Sequence, residues 1–307
     1  MAIVNTSVPL TSAGNNLAIE TLTRTYSDFR TEQLTTTAFQ RPVRTLVMGN
    51  GGRRVLFTAA HHANEWITAL ILLKFAEDLG QAAKENGNLY GVPARLILQT
   101  STIYMVPMVD PDGVDLVTGA IRPGSVQYEV ARTLADRYPQ IPFPEGWKAN
   151  LLGVDLNLQY PAGWDVARRI KFDQGYTRPG PRDYVGSAPL ITPENRAMAA
   201  WTKTNDFSLT LSYHTQGKTI YWQSAEETIA GAKGIGEAMS KSSGYALESM
   251  PYESGHAGYN DWFIQTWSRP GFTIEAGRGE NPLSLSQFEE IYGENLPILI
   301  RGITLSP

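Results

Sequence analysis

The segment Val55-Leu56-Phe57-Thr58-Ala59-Ala60 runs straight into His61-His62-Ala63-Asn64-Glu65, and residues at helical spacing follow. An apolar strand that feeds a helix through a short turn is the unit of an α/β fold. The junction also sets a histidine and a glutamate three residues apart at the end of a strand, where ligands bind in open α/β sheets. The chain has four histidines. One of them, His214, ends a second strand-like run, Ser208-Leu209-Thr210-Leu211-Ser212-Tyr213. His62, Glu65 and a distant His214 are a ligand set that leaves a zinc ion one open position, as a hydrolase requires. His61 is one residue out of register with Glu65 and reads as a packing or supporting residue.

Composition narrows the chemistry. The 307 residues include no cysteine. Disulfides and thiolate metal sites are excluded, so a zinc site must use histidine and carboxylate. Net charge is −4 and charged residues make up 18%. No basic stripe marks a nucleic-acid binder. The longest apolar run, Ile67 to Phe75, is broken by Lys74 and is too short to span a membrane. The start, Met1-Ala2-Ile3-Val4-Asn5-Thr6, lacks the charged and apolar regions of a secretory signal. The expected location is therefore cytoplasmic, or outside the cell as a trimmed mature form.

Strand-like runs are expected at Thr45–Met48, Arg54–Ala60, Arg95–Val109, Ser208–His214, Thr219–Gln223 and Gly271–Ala276. Helical spacing covers Leu17–Tyr26, Glu65–Leu79, Ser125–Tyr138, Glu226–Ser242 and Phe288–Ile303. Thr192-Pro193-Glu194 starts a further helix, with threonine as cap and proline at the first position. Ser286 and Glu289 have the spacing of a capping box. The alternation predicts an α/β fold with a mixed, largely parallel central sheet flanked by helices. A Pro-, Gly- and aromatic-rich stretch, 139–190, reads as a long functional loop. With no repeat or linker in view, residues 1–307 are expected to form a single catalytic domain, with 1–40 as an N-terminal extension packed on it.

The run Gly271-Phe272-Thr273-Ile274-Glu275-Ala276-Gly277 places a carboxylate in an apolar strand. Such a group is costly unless paired or functional. Glu275 suits a general base beside a zinc-bound water.

In order along the chain stand His62-x-x-Glu65, Asp110-Pro111-Asp112-Gly113, Gly153-Val154-Asp155-Leu156-Asn157, the strand ending in His214, Asp261-Trp262 and the strand carrying Glu275. This ordered set resembles the zinc metallocarboxypeptidase family, whose fold is phosphorylase/hydrolase-like. The resemblance implies one zinc on His62, Glu65 and His214, with Glu275 as the base that activates water. It implies that Asp155 orients His62. Trp147-Lys148 matches the family's Trp-Arg, so Lys148 stands where an arginine polarises the scissile carbonyl. Asn157 matches an asparagine that holds a substrate carboxylate. Tyr252 lies near the position of a mobile tyrosine over the substrate, with Tyr259 as the alternative.

One departure bears on substrate. The family's Asn-Arg pair is Asn157-Leu158 here. That arginine docks a free C-terminal carboxylate through two parallel charge-assisted bonds, which leucine cannot make. The segments His214-Thr215-Gln216-Gly217, Asp261 to Gln265, Arg269 to Glu275, and Asn281-Pro282 to Phe288 resemble the γ-D-glutamyl-L-diamino acid peptidases. Those enzymes cut peptidoglycan stem peptides. The resemblance implies a muropeptide substrate, with Gln216 among its contacts. Arg168, Arg169, Arg178, Arg182 and Arg278 are candidate partners for its charged ends. The rival expectations are a conventional metallocarboxypeptidase, a zinc amidohydrolase that removes N-acyl groups, and a non-catalytic zinc or cell-wall-binding module.

Overall fold

Val55, Leu56, Phe57 and Thr58 are all buried, as are all six residues of Ser101–Val106 and of Leu209–His214. Strands with no exposed face belong in the middle of a sheet covered on both sides. The computed structural model, which describes residues 2–307, places them there. The strands are β1 (Phe29–Arg30), β2 (Gln33–Thr36), β3 (Pro42–Arg44), β4 (Leu46–Met48), β5 (Arg53–Thr58) and β6 (Asn88–Leu89). Then come β7 (Val92–Pro93), β8 (Ser101–Val106), β9 (Leu209–His214), β10 (Thr219–Tyr221), β11 (Ala246–Glu248) and β12 (Gly271–Glu275).

Eight of these form one sheet in the order β1-β4-β8-β5-β9-β12-β10-β11. The central four, β8, β5, β9 and β12, run parallel. Antiparallel pairings of β4 with β8 and of β10 with β12 flank them. The sheet is therefore mixed and largely parallel at its centre, as expected. The pairs β2–β3 and β6–β7 are separate ribbons.

Among the described residues ten helices cover the sheet and fill its connections: α1 (Ser12–Thr25), α2 (Ile67–Lys84), α3 (Ala94–Thr100), α4 (Pro111–Val117) and α5 (Val126–Ala135), then α6 (Trp164–Asp173), α7 (Pro193–Thr204), α8 (Ala232–Ser243), α9 (Tyr259–Trp267) and α10 (Phe288–Thr304). Helices α1, α2, α8 and α10 share one large apolar cluster with β5, β9 and β12. A second cluster joins α7 and α9 with β4, β8 and the opposite face of β5. A fully buried leucine or phenylalanine contributes roughly 1.5–3 kcal/mol, so these two layers hold the sheet ends rigidly. Among the described residues no helix is long and apolar enough to cross a membrane.

Several expected elements change. Arg95–Val109 is not one strand. Its first part is α3, which buries Ala94, Ile97 and Leu98 at helical spacing, and only Ser101–Val106 is extended. A continuous apolar run carries no period that separates these two outcomes. Helix α2 starts at Ile67, and Glu65 closes a separate 3-10 turn, Ala63–Glu65. Ser286 caps nothing, because it lies inside the 3-10 turn Leu285–Gln287 that Ser284 caps. Residues 226–231 precede α8 rather than starting it. The long 139–190 stretch contains α6, and helices α4 and α9 were not foreseen. By contrast Thr192 caps α7 as expected, its hydroxyl accepting from Asn195 N at 3.2 Å.

Candidate metal centre and substrate cavity

Three neighbouring strands deliver the site. Strand β5 leads to His62, β9 ends at His214, and β12 ends at Glu275. Strands β9 and β12 are parallel with His214 opposite Glu275, so both side chains reach the carboxyl edge of the sheet together.

The turn that holds His62 and Glu65 is fastened from two sides. Ala63 N donates to Lys148 O at 3.0 Å. On the other side, Gly113 of the Asp-Pro-Asp-Gly motif abuts Ala63. A Cβ at Gly113 would lie 2.7 Å from Ala63 Cβ and 2.7 Å from Ala149 O. Asp110 caps α4 by accepting from Gly113 N at 3.0 Å, with Pro111 at the first helical position. That motif is a scaffold for the metal turn. The segment Asn281-Pro282 braces the far side, where Thr215 Oγ1 donates to Asn281 Oδ1 at 2.7 Å and Asn281 Nδ2 donates to Thr215 O at 3.0 Å.

His62, Glu65 and His214 are buried, and their ligand atoms lie within 4.8 Å of one another. The Nδ1 atoms of the two histidines are 3.1 Å apart. His62 Nδ1 is 3.0 Å from Glu65 Oε1, and His214 Nδ1 is 2.9 Å from Glu65 Oε2. Ligands on a tetrahedral zinc are separated by roughly 3.4 Å, given metal–ligand bonds of about 2.0–2.1 Å. The donor set and its spacing therefore fit that ion. His62 turns its other nitrogen, Nε2, to Asp155 Oδ1 at 3.2 Å. A carboxylate there fixes the ring so that Nδ1 faces the metal position. Asp155 is itself anchored by Asn157 N at 3.0 Å and Asp183 N at 3.2 Å.

Charge is concentrated here. Although burial opposes ionisation, His62 and Lys148 hold the Glu65 carboxyl well below its ordinary range. Burial likewise works against the His62 imidazolium, but Glu65 and Asp155 lift its pKa to about 9. Burial lowers His214. Burial and repulsion from Glu65 push Glu275 up to about 8. Partial burial works against the Lys148 ammonium, but Glu65, with Oε1 3.2 Å from Lys148 Nζ, raises its pKa overall.

These residues line a cavity of about 250 Å³. Asp155, Asn157, Leu158, Asp261 and Glu275 share its wall with the metal ligands and Lys148. Asn157 is locked in place, since its Oδ1 accepts from Tyr259 N at 3.0 Å. Three of the charged lining residues, Lys171, Asp183 and Asp261, have no role expected from the sequence. Asp261 is buried in the first turn of α9, and desolvation with nearby Glu226 raises it to about 7.

Other expected site residues stay outside. Gln216 and Arg278 are exposed and do not line the cavity. Tyr252 is 57% exposed, its ring set edge-on against His256. Tyr259 is buried in the core with its hydroxyl on Thr202 Oγ1 at 3.0 Å, which removes it as the alternative. Arg168, Arg169 and Arg178 are exposed away from the wall, and Arg168 covers the Phe172 ring. Of the five arginines proposed for charged substrate ends, Arg182 alone lines the cavity. His61 is buried behind the ligands, stacked on His214 with Nε2 3.4 Å from Tyr160 Oη, in keeping with a supporting role.

The sequence profile of the zinc carboxypeptidases, peptidase M14, matches residues 16–297. The chain belongs to the zinc carboxypeptidase family. This family member is 40% identical over 265 residues to gamma-D-glutamyl-L-diamino acid endopeptidase 1 of Lysinibacillus sphaericus, covering 86% of this chain and 65% of that protein. It is 35% identical over 269 residues to the uncharacterized protein YqgT of Bacillus subtilis strain 168, covering 86% of this chain and 69% of that one. The chain thus spans about two thirds of the length of the curated relatives it matches. In fold it matches bovine thrombin-activatable fibrinolysis inhibitor bound to tick carboxypeptidase inhibitor. The TM-score is 0.74 at 17% identity, with 98% of each chain covered. The family is one of zinc enzymes, and the triad of His62, Glu65 and His214 is where this member can hold that ion.

Proposed function

We propose that the protein hydrolyses the γ-D-glutamyl–diamino acid bond of peptidoglycan stem peptides. The observation that carries this reading is the 40% identity to an endopeptidase named for that bond. The cavity adds support, because Leu158 lines it where a carboxypeptidase specific for free C-termini needs an arginine.

His62, Glu65 and His214 would hold zinc, which would supply a Lewis acid and lower the pKa of a water. The remaining work falls to side chains of this chain. Asp155 holds His62 in the tautomer that offers Nδ1. Glu275, at the end of β12 beside His214, takes the proton of the attacking water and returns it to the leaving amine. It must be ionised to begin; burial and Glu65 push it up to about 8, and a dication held by the three ligands would lower it. Lys148 faces the same space and steadies the negative charge that grows on the carbonyl oxygen. A lysine gives charge without the two-pronged grip of arginine.

The test is mass spectrometry of products from L-Ala-γ-D-Glu-diaminopimelate and its lysine counterpart, beside a plain peptide with a free C-terminus. Release of L-Ala-D-Glu from the γ-linked peptides, with the plain peptide intact, is expected. Trimming of the plain peptide alone would make the protein a conventional carboxypeptidase.

A further inference from the structure

Two cations line the cavity beside Leu158, and neither belongs to the metal centre. Lys171 comes from the last turn of α6 and Arg182 from the turn after Pro181. They share one carboxylate. Lys171 Nζ is 2.6 Å from Asp183 Oδ1, and Arg182 Nε is 2.5 Å from Asp183 Oδ2. The trio therefore carries one net positive charge. Arg182 spends only Nε on Asp183. Among the described residues no protein acceptor takes its two terminal nitrogens, and its side chain is 40% exposed. A planar donor fork is left without a protein partner on a residue that lines the cavity.

The trio is held firmly. Asp183 has φ +63°, an uncommon left-handed backbone for a residue with a side chain. Its amide donates to Asp155 Oδ2 at 3.2 Å, which links it to the residue that orients His62. Pro181 O accepts from both Lys148 N at 2.8 Å and Ala149 N at 2.9 Å. The turn that bears Arg182 is thus stitched to the segment that bears Lys148. Leu158, meanwhile, lines the cavity and packs against the buried cluster of Ala167, Val185 and Ala257, so it brings no polar group to that part of the wall.

We propose that Arg182 and Lys171, positioned by Asp183, form an anion subsite that takes a substrate carboxylate next to the scissile amide. The subsite supplies from α6 and the 181–183 turn the anchor that Leu158 cannot give. This rests on the reading of the protein as a γ-glutamyl peptidase, whose substrates carry two such carboxylates: the α-carboxylate of the glutamyl residue and that of the leaving diamino acid.

The experiment compares L-Ala-γ-D-Glu-L-Lys with two amides, one blocked at the glutamyl α-carboxylate and one at the C-terminus, in the zinc-loaded native enzyme, Arg182→Gln and Lys171→Gln. One amide is expected to raise KM of the native enzyme about ten- to hundredfold, the worth of a charge-assisted bond, with kcat little changed. The amide that does so identifies which carboxylate is read. Arg182→Gln should close the gap between acid and amide, and Arg182→Lys should restore part of it. Calorimetric binding of the free dipeptide L-Ala-D-Glu and of free lysine gives a readout apart from turnover, with binding of one weakened in Arg182→Gln. Equal KM for acid and both amides, or equal loss on all three in Arg182→Gln, overturns the subsite but leaves the γ-glutamyl activity standing. If no γ-linked peptide is cut, that activity fails, and calorimetry decides the subsite: binding lost in Arg182→Gln upholds it, binding unchanged ends it.

Discussion

The two walls of the cavity are built in different ways. On one side His62, Glu65, His214 and Glu275 project from the carboxyl edge of three adjacent sheet strands. On the other, Lys148, Asp155, Leu158, Arg182 and Asp183 come from the long 139–190 connection, with Lys171 on its one helix. The strand wall is fixed by two apolar layers packed on either face of the sheet. The loop wall is fixed by backbone hydrogen bonds and ion pairs. Metal chemistry requires the first kind of support, and substrate selection tolerates the second, which a few side-chain changes can retune.

Substitutions on each wall should separate the two roles. The largest effect is expected from Glu275→Gln, with a fall in kcat of about 10²- to 10⁴-fold while zinc content by metal analysis stays at one per chain. Near-native turnover would remove Glu275 as the base. Asp155→Asn is next, because it sits where the walls meet. Zinc affinity, measured by competition with a chelator, should weaken about 10- to 100-fold. Unchanged affinity would mean that Asp155 serves the loop wall alone.

The pH response should belong to the strand wall. In the metal-free protein His62 is lifted to about 9 from 6.5, and Glu275 to about 8 from 4.5. The folded chain then binds more protons than the unfolded chain as far as pH 9. The stability gained from the His62 proton is lost as pH rises from 6.5 to about 9, and the cost of ionising Glu275 accrues between 4.5 and about 8. The metal-free Tm should therefore fall between pH 7 and 9. With zinc bound the His62 proton is already displaced, and the slope should flatten. A metal-free Tm that rises over that interval would contradict the buried charges described above. The smallest effect is expected at the rim, where Arg169→Ala and Arg178→Ala should change kcat/KM less than about twofold, since neither touches the cavity.

The strand wall was legible in the sequence because each part has a local signature. Apolar runs mark β5, β9 and β12; β5 leads to His62, β9 ends in His214 and β12 ends in Glu275. The loop wall was legible only where a motif fixed it, as for Lys148, Asp155 and Asn157. Lys171 and Asp183 have no such mark. Arg182 could not be told apart from Arg168, Arg169 and Arg178, because a basic residue in a loop looks the same whether it faces water or a cavity. The helix that presents Lys171 was hidden for a related reason. Helix α6 buries only Ala167 fully, so its apolar period is faint.

The sequence by itself determined the α/β class, the candidate zinc ligand set, the strand that carries Glu275 and the lack of an arginine at Leu158. Each depends on neighbours along the chain or on the order of motifs. Only the tertiary structure decided that Gln216, Tyr252 and Arg278 stand outside the cavity, and that Arg182 and Lys171 converge on Asp183 beside it. Those facts depend on contacts between segments far apart in the chain, set by the left-handed turn at Asp183 and the packing of α6, and no local pattern encodes them.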